Sequence, residues 1–177
     1  STQNYWALPN NNRSLHDLII RKASLADSIV DFGINRNQRI SEDFLKMNYS
    51  GSIVKIGELD SSFAYREIKA EGLRISEGRI KSLKRRRWEQ LTPQEELTLI
   101  KKGFLFVRWR AGTSPIGVLQ NRILNLVNNE NLAPLRAGSP ANFILLRKRK
   151  PRYAVVNGFL IDCAAQETPI GMNTIGY

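Results

Sequence analysis

SLHDLIIRKASLADSIVDFG, residues 14–33, is the stretch on which the fold class turns. Ser14 precedes the apolar positions Leu15, Leu18 and Ile19, and Asp17 stands three residues on. That is an acidic variant of the capping box, in which side chains satisfy unbonded N–H groups of a helix's first turn. Ser24 and Asp27 repeat the arrangement ahead of Leu25, Ile29 and Val30, and Gly33 offers a C-terminal stop. The spacing predicts one or two helices over 14–32. Ser41, Glu42 and Asp43 predict the start of another short one.

From Gly51 the period shortens to two. SIVKIG (52–57) and FAYREIK (63–69) alternate aliphatic or aromatic residues with polar ones, and Gly57, Gly72 and Gly78 punctuate them. They read as strands of an antiparallel meander. LTPQEELTLIKKG (91–103) is a helix with both ends marked: Thr92 at the N-cap, Pro93 at N1, Glu95 at N3, Lys101 and Lys102 in the last turn, then Gly103. GFLFVRW (103–109) reads as a strand. Ser114 and Pro115 open a second helix with the stripe Ile116, Leu119, Ile123, Leu126 and Val127, ending in the asparagine cluster at 128–131. A Pro/Gly loop, 133–140, leads to strand NFILLRKRK, Pro151 interrupts, and YAVVNGFLID (153–162) is a further strand. TPIGMNTIGY (168–177) reads as loop. The expected class is α+β, N-terminal helices followed by a mixed half of short antiparallel strands and two helices. Three segments are expected: a helical one over 1–50, a basic α+β domain over 51–152, and a C-terminal strand with an uncharged tail over 153–177.

A chain of 177 residues with 42% apolar content can bury a real core. The one cysteine, Cys163, excludes an internal disulfide and a four-Cys zinc site, and the one histidine, His16, excludes a His-rich metal cluster. His16 is expected on the surface of a helix's first turn, and Cys163 as a small buried hydrophobe. No apolar run approaches the roughly 20 residues of a membrane span, and STQNYWALPNNN at the start does not read as a signal peptide. An intracellular location (cytoplasm or nucleus) or a virion interior is expected.

The net charge of +11 is segregated. Residues 1–60 carry 7 Lys/Arg against 7 Asp/Glu, residues 61–152 carry 20 against 7, and residues 153–177 carry only Asp162 and Glu167. Such segregation points to a polyanionic partner, nucleic acid first. Two runs concentrate it. KSLKRRRWEQ (81–90) holds Lys81, Lys84, Arg85, Arg86 and Arg87 beside Trp88, and RKRKPR (147–152) holds Arg147, Lys148, Arg149, Lys150 and Arg152. Burying unpaired charges costs several kcal/mol, so the first run is expected as a surface loop or edge. Arg108 and Arg110 at the end of one apolar strand, and Arg147–Lys150 at the end of another, are expected along one rim suited to phosphates. Trp88 is a candidate for stacking an unpaired base, and Trp109 is expected in the core.

GELDSSFAYREIK (57–69) raises an enzymatic alternative. Asp60, Glu67 and Lys69 fit the D…(D/E)xK spacing of restriction-endonuclease-like nucleases, where two carboxylates hold Mg²⁺ and the lysine handles the attacking water. Their structural reading is an exposed same-face ion pair between Glu67 and Lys69, worth at most about 1 kcal/mol. Outside that alternative no cofactor or metal is expected. Phosphate-loop, dinucleotide, zinc-protease and serine-hydrolase motifs are absent.

The spacing of SSF (61–63), GLRI (72–75), GFLF (103–106), NL (125–126), Glu130 and FILLRKRK (143–150) resembles the basic, RNA-associated C-terminal domain of the second basic polymerase subunit of influenza-type viruses. The resemblance covers roughly residues 61–150. It implies a non-catalytic domain that contacts RNA and host factors within a polymerase. With the charge it gives the leading expectation: a non-enzymatic nucleic-acid-binding protein, RNA favoured, acting inside a larger assembly such as a polymerase or ribonucleoprotein. The alternatives are an assembly subunit, for instance of a virion, whose basic surface pairs with acidic partners, and the Mg²⁺-dependent nuclease.

Overall fold

Leu18, Ile19 and Ile20 are consecutive and all fully buried. One face of an amphipathic helix cannot bury three neighbours in a row, but a strand covered on both sides can. In the computed structural model, which describes residues 15–40, 47–110, 116–118, 135–165 and 175–176, Leu15–Leu25 form strand β1 and Ser28–Ile40 form β2, an antiparallel hairpin. The helices expected over 14–32 are therefore strands. Ser24 and Asp27, which look like a second capping box, flank a tight turn instead. Leu25 pairs with Ser28, and Ala26 takes the left-handed φ of +53°. The β-branched Ile19, Ile20, Ile29 and Val30 favour this extended form. His16, expected on the surface, is buried on β1. The short helix expected from Ser41, Glu42 and Asp43 lies outside the described residues.

The expected α+β order fails with these helices. The chain is mostly strand, and its two described helices are short and come late: β3 (Met47–Gly57), β4 (Phe63–Lys69), β5 (Arg74–Ser76), β6 (Arg79–Ser82), α1 (Arg85–Glu89), α2 (Pro93–Lys101), β7 (Phe104–Arg108), β8 (Ile116–Gly117), β9 (Phe143–Arg147), β10 (Lys150–Val156), β11 (Phe159–Asp162) and β12 (Ile175–Gly176). Among the described residues nine strands make one sheet in the order β12-β11-β10-β9-β5-β1-β2-β3, with β4 also paired to β1. Strands from the first 50 residues, the basic middle and the C-terminal segment all lie in it.

SIVKIG and FAYREIK are strands as expected, but not neighbours in a meander. β4 runs parallel to β1, from Leu15 opposite Phe63 to Arg21 opposite Lys69. The loop that carries the chain across is tied down by β1 and β2. Asp31 accepts from the backbone N–H of Lys22 (2.9 Å) and of Leu59 (3.0 Å), and Arg21 donates to the carbonyls of Leu59 and Ser62.

The sheet curls until β3 meets the segment leading into β9. The N–H of Ile53 donates to the Ser139 carbonyl, the N–H of Ala141 to the Gly51 carbonyl, and Ser52 bridges Pro140. Closure needs a glycine: a Cβ on Gly51 would stand 2.3 Å from the Asn157 carbonyl oxygen. Inside lies one core, with Leu18, Ile20, Phe32, Ile34, Ile53, Phe143 and Val155 among its members. Phe32 meets Phe143 edge to face at 5.5 Å.

β9 to β11 form a wall with a core on each side. Phe143, Leu145, Val155 and Leu160 point into the first core, while Ile144, Ala154, Val156 and Ile161 point into a second. Two-sided burial is why these strands read as unbroken apolar runs. YAVVNGFLID, expected as one strand, is a hairpin turned at Asn157–Gly158, both at positive φ.

The second core is roofed by the sheet β6-β7-β8 and the two helices. α2 has the expected capping box: Thr92 accepts from the Glu95 N–H, and Glu95 reaches back to the Thr92 N–H. GFLFVRW contributes β7, as expected. Of the helix expected after Ser114 and Pro115, Ile116–Gly117 is strand β8, Val118 is a buried turn residue, and the remainder lies outside the described residues.

Candidate nucleic-acid interface

KSLKRRRWEQ lies on the surface as expected, beginning on an edge strand and running into a short helix. Lys81 and Ser82 end β6, and Arg85–Glu89 form α1, a single turn anchored by its tryptophan. Trp88 is only 8% exposed, and its ring centroid lies 5.5 Å from that of Trp109. Its faces are spent on the second core, so Trp88 is not placed to stack a base. Trp109 packs at the edge of that core, as expected.

Burying Trp88 turns the basic residues that precede it outward. Lys81, Lys84, Arg85, Arg86 and Arg87 are all exposed. Arg85 pairs with Glu89 at 3.1 Å along the helix, and Arg87 pairs with Glu95 of α2. The Arg87 guanidinium holds the Glu95 carboxyl below its usual range. Lys84 and Arg86 make no ion pair among the described residues.

The second run has a sharper form. Arg147 pairs with Lys150 across a two-residue hairpin, and the residues between them, Lys148 and Arg149, sit at φ +49° and +69°. Such turns favour Asn-Gly; here two long cations occupy them. Arg147, Lys148, Arg149 and Lys150 are exposed and make no ion pair among the described residues. Arg152 differs, since it pairs with Asp162 at 2.6 Å and lies 4.1 Å over the Tyr153 ring.

The rim expected from Arg108, Arg110 and 147–150 takes another form. It is the start of β7, not its end, that meets the second run. Gly103 holds a φ of +96°, which favours glycine, and a Cβ there would lie a tight 3.3 Å from Pro151 Cγ where α2 and β10 approach. Arg108 sits at the far end of β7, opposite Ser82. The residues that link the two runs are Arg79 and Lys102. With Arg149 they line one cleft of about 250 Å³. Arg79 and Lys81 both lie over the Phe104 ring, at 4.1 and 5.3 Å. Lys81 and Arg87 then line a second groove of about 260 Å³, between α1 and α2, which Glu95, the partner of Arg87, lines as well. A cationic band thus runs from Arg149 through Lys102, Arg79 and Lys81 to Arg87. Sequence reasoning misses Arg79 and Lys102. Arg79 lies two residues before Lys81 and so shares its strand face, which is a usable signal; Lys102 reads simply as a helix-end cation.

The nuclease residues are arranged otherwise. Glu67 and Lys69 both lie on the exposed side of β4, and Asp60 is in the turn before it. Glu67 Oε1 is 2.7 Å from Arg21 Nη2, so its carboxylate is already engaged. No group of three or more His, Cys, Asp or Glu among the described residues is placed to hold a metal ion. Cys163 is not a nucleophile: burial pushes its thiol up to about 12, and the reactive thiolate is negligible at neutral pH.

No helix among the described residues is long and apolar enough to cross a membrane. No family model matches the chain, and no curated protein matches it significantly. Among solved structures, a D-aminoacylase described as defining a novel subset of amidohydrolases matches 52% of this chain at 21% identity, with a TM-score of 0.37. A mutant D-aminoacylase in complex with copper chloride matches 52% at 20% identity, with a TM-score of 0.36. The matched part spans 18% of each of those chains.

Proposed function

We propose that this chain is a non-enzymatic nucleic-acid-binding module, with RNA the favoured ligand, whose cationic band grips phosphates. The observation that carries the reading is the joining of two basic runs, some sixty residues apart, by Arg79 and Lys102 into one band. Spread charge would serve solubility, whereas a continuous band matches a repeating anion. Base reading is not part of the proposal. With Trp88 and Trp109 packed together, the band offers charge without a stacking platform, so binding is sequence-tolerant and salt-dependent.

Work inside a larger assembly belongs to the same proposal. Leu15 and Phe63 face each other across β1 and β4, and Tyr65 follows on the same side as Phe63; they are 56%, 57% and 75% exposed. Apolar groups displayed together on a soluble surface suit a protein contact.

The test is binding of single-stranded and duplex RNA and DNA by the full chain, with Mg²⁺ present and products resolved on a gel. Binding that weakens with salt while strands stay intact is the expected result. Cut strands would return Asp60, Glu67 and Lys69 to consideration, and absence of binding at moderate salt would leave the assembly role alone.

A further inference from the structure

The cleft between β6, the end of α2 and the β9–β10 hairpin has a chemistry of its own. Arg79, Lys102 and Arg149 line it, and among the described residues no carboxylate does. One of the three, Arg79, is held in place. Arg79 donates from Nη2 to the Lys102 carbonyl and lies against the Phe104 ring, so it caps the negative end of α2 and leaves that end no longer repellent to an anion. Arg149 reaches the cleft from the exposed hairpin turn, where its backbone takes a left-handed φ of +69°. The floor is apolar, made by Ile144, Leu146 and Pro151.

A volume of about 250 Å³ is small beside the roughly 300–1,000 Å³ of sites for drug-sized ligands. It has room for one phosphate group and part of the sugar that carries it. Three cations exceed what one diester, with a single negative charge, can neutralise. A phosphomonoester carries about −1.5 to −2 at neutral pH and offers three acceptor oxygens.

We propose that this cleft binds the terminal phosphate of a nucleic-acid strand, with the first sugar against the Leu146–Pro151 floor. In naming a strand end the proposal rests on the nucleic-acid reading above; the phosphate site itself can be tested without it.

The experiment compares oligoribonucleotides of one sequence carrying a 5′-phosphate, a 3′-phosphate or hydroxyls at both ends, titrated against the full chain by fluorescence anisotropy. One phosphorylated end binds about tenfold more tightly than the hydroxyl form, as for a charge-assisted contact. The preference disappears in Arg149→Gly, a change that suits the left-handed turn and so keeps the fold, and in Lys102→Ala. Equal affinity for all three strands would overturn the cleft proposal and leave the nucleic-acid reading standing. Failure to bind any strand would overturn that reading, and inorganic phosphate then decides the cleft. Phosphate-dependent shifts of the Gly103 and Arg149 amide resonances, lost in Arg149→Gly, would uphold the site, and unchanged spectra would end it.

Discussion

Asp31 shows how much one buried carboxylate can organise. It is 1% exposed, accepts from two backbone N–H groups, and has Arg21 Nη1 at 3.7 Å. Through it β1 holds both its bulge at Lys22 and the loop that sends the chain to β4. Replacing it with alanine leaves the buried Leu59 N–H and the part-buried Lys22 N–H without their acceptor, which costs about 3 kcal/mol. Urea titration of Asp31→Ala should show a lower midpoint with an unchanged m-value. His16 sets a pH dependence. Burial disfavours its imidazolium, Lys55 and Arg21 add to this, and Asn35 and Asp17 only partly oppose it, so its folded pKa lies below the unfolded value. The unfolded state therefore binds the proton first. Stability is fullest above about pH 6.5 and falls as pH drops from there toward the folded pKa. Thermal melts between pH 7.5 and 5.5 should show that fall, and His16→Gln should lack it. Neither residue announces its role in the sequence. Burial of a polar side chain depends on partners such as Leu59 and Asn35, many positions away.

At the scale of elements, legibility follows where the signal is stored. α2 carries its own boundaries in Thr92, Pro93, Glu95 and Gly103, and they hold in the fold. Thr92→Ala should cost about 1 kcal/mol, read from chemical denaturation. β3, β4, β7 and β9 are legible in their residue patterns. β1 is not, because Leu18–Ile20 is covered on both faces, and a short apolar run has no period to distinguish strand from helix. Ser24 and Asp27 then mislead, since the residues that cap helices also populate turns. The band was half legible. Its runs are plain in the sequence, but their junction at Arg79 and Lys102 depends on the packing of α2 on β10. The Lys148–Arg149 turn carries a cost of its own, about 1 kcal/mol for each side chain held left-handed. Exchanging the pair for Asn-Gly should raise stability by about that amount while weakening polyanion binding, a trade expected where strain serves a site. Melting and titration of the same double variant measure both.

For the whole molecule the governing feature is the wall of β9 to β11 between two cores. It fixes the second basic run relative to the first, because Ile144 and Val156 share a core with Trp88 and Ile100. The spacing of charge along the band is thus set by core packing rather than by flexible loops. Lys84, Arg86 and Arg147–Lys150 are exposed cations of the two runs that make no ion pair among the described residues. Each phosphate they neutralise adds about −0.7 to the slope of log affinity against log salt for a single strand. The most direct measurement is therefore the affinity of the full chain for a single-stranded RNA across a salt series, repeated with Lys84 and Arg86 neutralised and with Arg147–Lys150 neutralised. A slope of roughly −2 to −4, reduced by either set of changes, is expected if both runs grip one strand. A slope near zero, or one that neither set alters, would contradict phosphate binding by the band.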